Sequence, residues 1–257
     1  MARQFVRVAI EDHIAVVTLD RPPVNAFSGQ MYQDTVDTFN ELSADRNVSV
    51  AILTGAGEKA FCAGNDINEF KNPDPAEIAA HGRLVERCFS AIHFCEVPVI
   101  GAINGHALGT GTALCGVCDV LIASPNATFG IPEITVGVIG GGRFLMRLVP
   151  QQKARWLAFS GERIPAEEMY RLGALEKVVP QGELLPAALA MARRIISVAP
   201  PAGIRLEKQA LNEMEFLNLE EGNKREHHYS GQLRGTPDAL EAARAFFEKR
   251  PPRFTGR

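Results

Sequence analysis

Residues Val97–Glu133, VPVIGAINGHALGTGTALCGVCDVLIASPNATFGIPE, decide the fold. Val97–Ile103 is short, apolar and rich in β-branched residues, which predicts a buried strand. Asn104-Gly105 ends it. A loop of small residues follows, Ala107–Thr112, and Ala113–Cys118 then continues with no breaker. The pattern is strand, glycine turn, helix start. The first amides of a helix lack intrahelical acceptors, and the dipole makes that end positive. Small residues there let a ligand oxygen approach the backbone N–H groups. Downstream, Phe129-Gly130-Ile131-Pro132-Glu133 sets a carboxylate at the head of the apolar, glycine-rich run Ile134–Gly142. These two features are expected to face one another.

Working outward, Phe5–Ile10 and Ile14–Leu19 read as a hairpin joined at Glu11-Asp12-His13, and Asp20–Ala26 as an extended loop that two prolines keep from being helical. Ser28 is placed to cap a helix reaching Ala44, with Met31, Val36, Phe39 and Leu42 as its apolar stripe. Val48–Leu53 is the next strand. After it, Ala60–Ile67 forms a second small-residue turn, where Asp66 is positioned to cap a short helix over Ile67–Phe70. Two strand–turn–helix units therefore offer free amides, near Asn65 and near Thr110. Asn72–Pro75 reads as a turn before a helix over Ala76–Cys95. Further elements are Asp119–Ala123 (strand), Arg143–Leu148 and Lys153–Phe159 (helices), a short helix opening at Pro165, Leu175–Val179 (strand) and Leu184–Val198 (helix).

Pro200-Pro201 marks the clearest boundary, and everything beyond it reads as helix: Ile204–Glu215, Leu219–Leu233 and Pro237–Lys249. The layout is an α/β core over residues 1–199 and an all-helical region over 200–257.

Composition narrows the classes. The chain has 257 residues, 46% of them hydrophobic and 22% charged, the profile of a globular protein. A net charge of −3 gives no electrostatic reason to expect nucleic acid or an anionic membrane as a partner. The longest apolar runs are too short to span a bilayer, and the first residues alternate like a strand, so a cytoplasmic location is expected. The five cysteines are odd in number and lie in apolar surroundings, as buried thiols of a reducing compartment do. Cys115-x-x-Cys118 has the spacing of a redox or metal motif but neither a second pair nor a nearby histidine.

Several stretches together resemble the enoyl-CoA hydratase/isomerase (crotonase) family: RPPVNAF at 21–27, FCAGNDINEF at 61–70, PVIGAINGHALGTG at 98–111, Cys118–Ala123, FGIPE at 129–133, the tract Val138–Arg147, Ser160–Pro165, Gly173–Val179 and FFEKRPPRF at 246–254. Each is weak alone; together, in order and along nearly the whole chain, they are specific. The resemblance implies an α/β spiral of ββα units with a C-terminal helical trimerisation region. It also implies homotrimers or hexamers built as dimers of trimers, and acyl-CoA thioester substrates. No separate cofactor is implied, coenzyme A entering as part of the substrate.

By the same resemblance, the backbone amides of Asn65 and Thr110 hold a thioester enolate, and Glu133 moves protons. Val24, Ala26, Ala63, Asp66, Ile67, Asn68 and Gly109 are carried over as the groove for the coenzyme. Phe246 and Lys249 belong to a tail that in the family reaches a neighbouring subunit's coenzyme. Two positions depart from the family: Thr110 stands where glycine is usual, and Ala113 where hydratases carry a first, water-positioning glutamate.

Adding water across a conjugated double bond wants one group for the water and one for the α-carbon. Moving a double bond needs one base that takes a proton from C2 and returns it at C4. One carboxylate fits isomerisation better. Hydration with water oriented by another group, such as a tyrosine or serine, stays open, as does a non-catalytic acyl-CoA-binding role. Taken alone, Glu133 reads more readily as a surface helix cap than as a catalyst, Asp66 as a cap rather than an acid, His106 as a structural loop histidine, and His227-His228 as a solvated or intersubunit face. Arg143, after three glycines, is open to two readings, lining an acyl pocket or capping a helix.

Overall fold

The computed structural model describes residues 3–70 and 74–256. Strands Val6–Glu11 (β1) and Ile14–Leu19 (β2) pair antiparallel, turning through Asp12 and His13 at φ 48° and 66°. Helix Gly29–Ala44 (α1) follows, its first turn closed by Ser28 Oγ accepting from the Met31 N–H at 3.3 Å. Then come Val50–Gly55 (β3), Ala60–Cys62 (β4) and Pro75–His93 (α2), the last opened by a reciprocal Asp74–Glu77 cap. Val99–Ile103 (β5), His106–Leu108 (β6), Thr110–Val117 (α3), Val120–Ala123 (β7), Thr128–Gly130 (β8) and Gly142–Leu148 (α4) continue the same cycle.

Three successive strand pairs therefore each send their first strand to one sheet and their second to another. The larger sheet runs β1-β2-β3-β5-β7 and closes on Lys177–Val178 (β10). The smaller runs β4-β6-β8 and ends antiparallel on Ile164–Pro165 (β9). Within each sheet the repeat strands are parallel. This is the expected spiral of ββα units.

Period-two alternation places the core. Val50 and Ile52 of β3, Ile100 and Ala102 of β5, and Ile122 of β7 face Leu184, Ala188 and Ala192 of helix Leu184–Val198 (α7). Their neighbours Ala51, Leu53, Val99, Ile103 and Leu121 face the opposite way, into the main core with Phe39, Phe61 and Ile92. Helices Gln151–Ser160 (α5) and Ala166–Arg171 (α6) complete the rim.

After Pro200 the chain forms Pro201–Met214 (α8), Leu219–Arg234 (α9) and Pro237–Glu248 (α10). Two buried cations fasten α8 to the core. Lys208 Nζ lies 2.8 Å from Asp119 and donates to the Val97 carbonyl at 3.0 Å, and Arg205 pairs with Glu96 at 2.9 Å while donating to the carbonyls of Ser43, Asp45 and Val48.

Three expectations are corrected. The small-residue stretch Ala107–Thr112 is not a loop: its start belongs to β6, because pairing with β4 and β8 satisfies its backbone, and α3 begins at Thr110. His106 is accordingly a strand residue, its Nδ1 2.8 Å from Thr128 Oγ1. The segment Asp20–Ala26 is not extended throughout. Arg21 O accepts the Asn25 N–H at 2.8 Å and Asn25 Oδ1 accepts the Arg21 N–H at 3.0 Å, so it closes into a turn with Asn25 at φ 53°. Prolines exclude helix but not a turn. Of the proposed turn before α2, Asn72 and Pro73 lie outside the described residues.

Candidate active site

The site forms where the ends of β4, β6 and β8 meet. The first loop follows β4. Phe27 bridges it in parallel fashion: the Phe27 N–H donates to Gly64 O and the Asp66 N–H to Phe27 O, each at 2.8 Å. In that pattern the bonds go to the residues flanking Asn65, so Asn65's own N–H points to the opposite side. The second loop follows β6. Thr110 is the first residue of α3, so its N–H has no intrahelical acceptor. Gly111 allows α3 to touch β4, since a Cβ there would lie 2.2 Å from Cys62 O. Gly109 sits at φ 56° and ψ −116°, and a Cβ on it would be 3.6 Å from Gly64 Cα. The loops thus abut.

Glu133 reaches this junction from the short 3-10 turn Pro132–Val136 after β8. A Cβ on Gly109 would lie 2.6 Å from Glu133 Oε1, so glycine makes room for the carboxylate. Oε2 is buried and, among the described residues, has no hydrogen-bond partner. Desolvation pushes the carboxyl above its ordinary value of 4.5, only partly offset by a backbone N–H. A half-buried carboxylate with one unbonded oxygen is a stronger proton acceptor than a solvated one.

The three residues expected to carry the chemistry, Asn65, Thr110 and Glu133, are therefore brought together. Ala113 is one turn into α3, 2% exposed. Its methyl can neither donate nor accept a hydrogen bond.

Most of the expected coenzyme groove also converges. Ala63 N–H donates to Val24 O at 3.1 Å, and Ala26 O accepts from Arg21 at 2.9 Å, so the two loops run side by side. Asp66 accepts the Asn68 N–H at 3.0 Å and pairs with Arg21 at 2.5 Å, and these contacts hold its carboxyl below the usual range. Its contacts are those of a cap and a loop clamp. Ile67 projects from this ridge, 76% exposed. Phe246 and Lys249 stand exposed at the end of α10, which packs on α9, and no described contact joins them to the Glu133 site. Arg143 opens α4, stacks 4.7 Å over Phe216 and lies 3.5 Å from Glu215, so it faces the C-terminal helices.

Tyr32 was not anticipated. Fully buried on α1, its hydroxyl donates to Asn65 Oδ1 at 2.5 Å and lies 2.8 Å from Thr110 Oγ1. Burial drives its ionisation far upward, and the Glu133 charge adds a smaller push, so the phenol stays protonated. Nothing in the linear sequence joins positions 32, 65 and 110. The available signal was Thr110 itself: a hydroxyl in an apolar helix start requires a polar partner. The cysteines are all free and buried, with Cys62 and Cys118 pushed up to about 12 by burial. Among the described residues no cluster of three or more His, Cys, Asp or Glu is placed to hold a metal ion, and no helix is long and apolar enough to cross a membrane.

Two strand ends with outward-facing amides, and the Glu133 carboxylate beside them, thus converge on one spot. The enoyl-CoA hydratase/isomerase family profile matches residues 9–257. The chain is 39% identical to the short-chain-enoyl-CoA hydratase of Clostridium acetobutylicum over 244 residues, 93% of each chain. It is 37% identical to the (E)-benzylidenesuccinyl-CoA hydratase of Thauera aromatica, over 98% of this chain and 99% of that one. The crystal structure of an enoyl-CoA hydratase from Bacillus anthracis superposes with a TM-score of 0.94 at 33% identity, covering 99% of this chain and 100% of that one. The protein belongs to the enoyl-CoA hydratase/isomerase family.

Proposed function

We propose that the protein shifts the double bond of an enoyl-CoA, with Glu133 as its single acid/base. Glu133 takes a proton from C2 of a 3-enoyl thioester. The C2–H electron pair becomes the C1–C2 π bond and the carbonyl π pair passes to the thioester oxygen, so the negative charge rests there as a dienolate while C3–C4 stays double. The Asn65 and Thr110 amides hold that oxygen; each such donor is worth about 3–4 kcal/mol when aligned to the developing charge. Glu133 then returns the proton at C4, leaving a conjugated 2-enoyl thioester. The observation that carries this reading is the lone carboxylate: Glu133 Oε2 is buried and unbonded, while Ala113 offers nothing to orient water.

Exposed apolar side chains beside Glu133, among them Val138 and Ile139 (93% exposed), support a hydrocarbon acyl chain as cargo. Exposed Leu219, Leu240, Phe246 and Phe247 on α9 and α10 support assembly through the helical region, as a trimer or a dimer of trimers. Hydration is a second reading, favoured by relatives that are named hydratases.

Purified protein is assayed side by side on a 3-enoyl-CoA and a trans-2-enoyl-CoA, following conjugated-thioester absorbance and product mass. Rapid gain of conjugation with negligible hydration is expected, and Glu133→Gln abolishes it while coenzyme A still binds. Efficient hydration of the 2-enoyl substrate overturns the isomerase assignment in favour of the second reading.

A further inference from the structure

The two residues whose backbone amides are proposed to hold the oxyanion have a second property in common. Their side chains meet on one phenol. Asn65 Oδ1 accepts from Tyr32 at 2.5 Å, and Thr110 Oγ1 lies 2.8 Å from the phenol oxygen and 3.2 Å from Asn65 Oδ1, its single proton serving one of the two. Asn65 lies after β4 and Thr110 after β6, on loops separated by 45 residues. Each N–H is aimed by its own loop, so any relative drift of the loops misaligns the pair.

The phenol is itself a fixed post. Its ring packs edge-on to Phe27 at 4.8 Å and to His81 at 5.4 Å, and it is fully buried. Its helix turn is anchored at Ser28, whose carbonyl accepts the Tyr32 N–H at 3.0 Å. Phe27, which packs on Tyr32, also bridges the Asn65 loop through its backbone. One residue on α1 therefore ties both oxyanion loops.

We propose that Tyr32 is a positioning residue: its hydroxyl, through the Asn65 and Thr110 side chains, holds the two oxyanion amides in register. This rests on the proposed function, because it assigns a purpose to the same pair of amides. Tyr32 does not touch the substrate; it acts on where the two N–H groups point. A catalytic donor misplaced by about 1 Å costs up to a hundredfold in rate, so a tie of this kind is worth keeping.

The test uses acetoacetyl-CoA, the smallest 3-oxoacyl-CoA. Loss of its C2 proton gives an enolate with a near-ultraviolet band, and the amplitude of that band on the protein reports how well the amides hold the oxyanion. Tyr32→Phe keeps the ring and its packing and removes only the hydroxyl. Thr110→Val removes the other hydroxyl at nearly constant volume. The expected result for Tyr32→Phe is a bound enolate fraction about tenfold or more lower, a matching fall in kcat, and affinity for coenzyme A alone within about twofold of wild type.

The double variant is expected to lose no more than the worse single one, because both act through one network. An enolate band in Tyr32→Phe equal to that of wild type overturns the inference and leaves the function standing. Equal losses of coenzyme A affinity and enolate band also overturn it, showing a general structural role. Absence of any enolate band with the wild-type protein overturns the oxyanion site, and the tie falls with it.

Discussion

Gly109→Ala tests the packing of the site most directly. The added Cβ would lie 2.6 Å from Glu133 Oε1 and 3.2 Å from its Cδ. An ordinary contact is about 3.4 Å or more, so the carboxylate must retreat by about 0.8 Å. The backbone also resists, since Gly109 sits at φ 56° and ψ −116°, a region that costs an L-residue about 1–3 kcal/mol. Two separable losses follow. Stability falls by about 1–3 kcal/mol, read from urea unfolding. Turnover of a 3-enoyl-CoA falls about a hundredfold, because displacing a catalytic group by nearly 1 Å spoils its attack geometry. Gly57→Ala is the control. Gly57 has φ 76° but no atom within 4 Å of its Cβ position, so it carries the backbone cost without the collision. Its stability falls by about 1 kcal/mol and its activity holds. A fully active Gly109→Ala, or equal activity losses in both variants, would refute the placement of Glu133 against Gly109.

Glu133→Gln lowers turnover by about 10²–10⁴-fold, measured as kcat on a 3-enoyl-CoA. Because burial raises the Glu133 carboxyl above 4.5, the acidic limb of kcat/KM lies above that value. The same raised value means the native state holds this proton more tightly than the unfolded chain, so its stabilising share is full below 4.5 and is lost as pH rises through the folded value. Urea midpoints for Glu133→Gln should therefore gain on wild type across that window. Asp119→Asn strands the buried Lys208 ammonium 2.8 Å away and costs about 3–5 kcal/mol in the same unfolding assay. Ala113→Glu introduces a second carboxylate on α3, the helix that begins at Thr110; the ratio of hydration to isomerisation, read by product mass, rises about tenfold or more if that position orients water.

Much of the fold was legible because local and global signals agreed. The helix expected from Ser28 to Ala44 and that over Leu184–Val198 have those limits, since a cap residue or a proline-flanked apolar run marks each end. The central strands β3, β5 and β7 of the larger sheet read clearly because both their faces are buried, giving largely apolar runs. The smaller sheet did not. Its strands are two or three residues long, and β6 is hidden among glycines and alanine. So short a strand is specified by neighbours, not by its own period. That the Asn65, Thr110 and Glu133 segments meet was legible through motifs around glycine. Tyr32 was not, because its importance lies in a contact spanning 78 residues to Thr110, and its local pattern is that of a core aromatic on an amphipathic helix.

These differences in legibility have a common physical source. Backbone amides carry no side-chain identity, so the groups that hold an oxyanion can be encoded only indirectly, by residues that set φ, leave room or tie loops together. Gly109 and Gly111 do the first two, and the Tyr32 hydroxyl is positioned for the third. Proton transfer has the opposite character: it needs a titratable group at one spot, and its presence or absence is visible in a single letter. In the proposed reaction, Glu133 and Ala113 are such letters. A frame of two abutting backbone segments depends on its path more than on its side chains, whereas the proposed reaction depends on which side chains reach the space between them. In the proposed reaction, a carboxylate with one unbonded oxygen serves two carbons of the same substrate in turn, because no described side chain engages that oxygen. A second acceptor at Ala113 would engage water first.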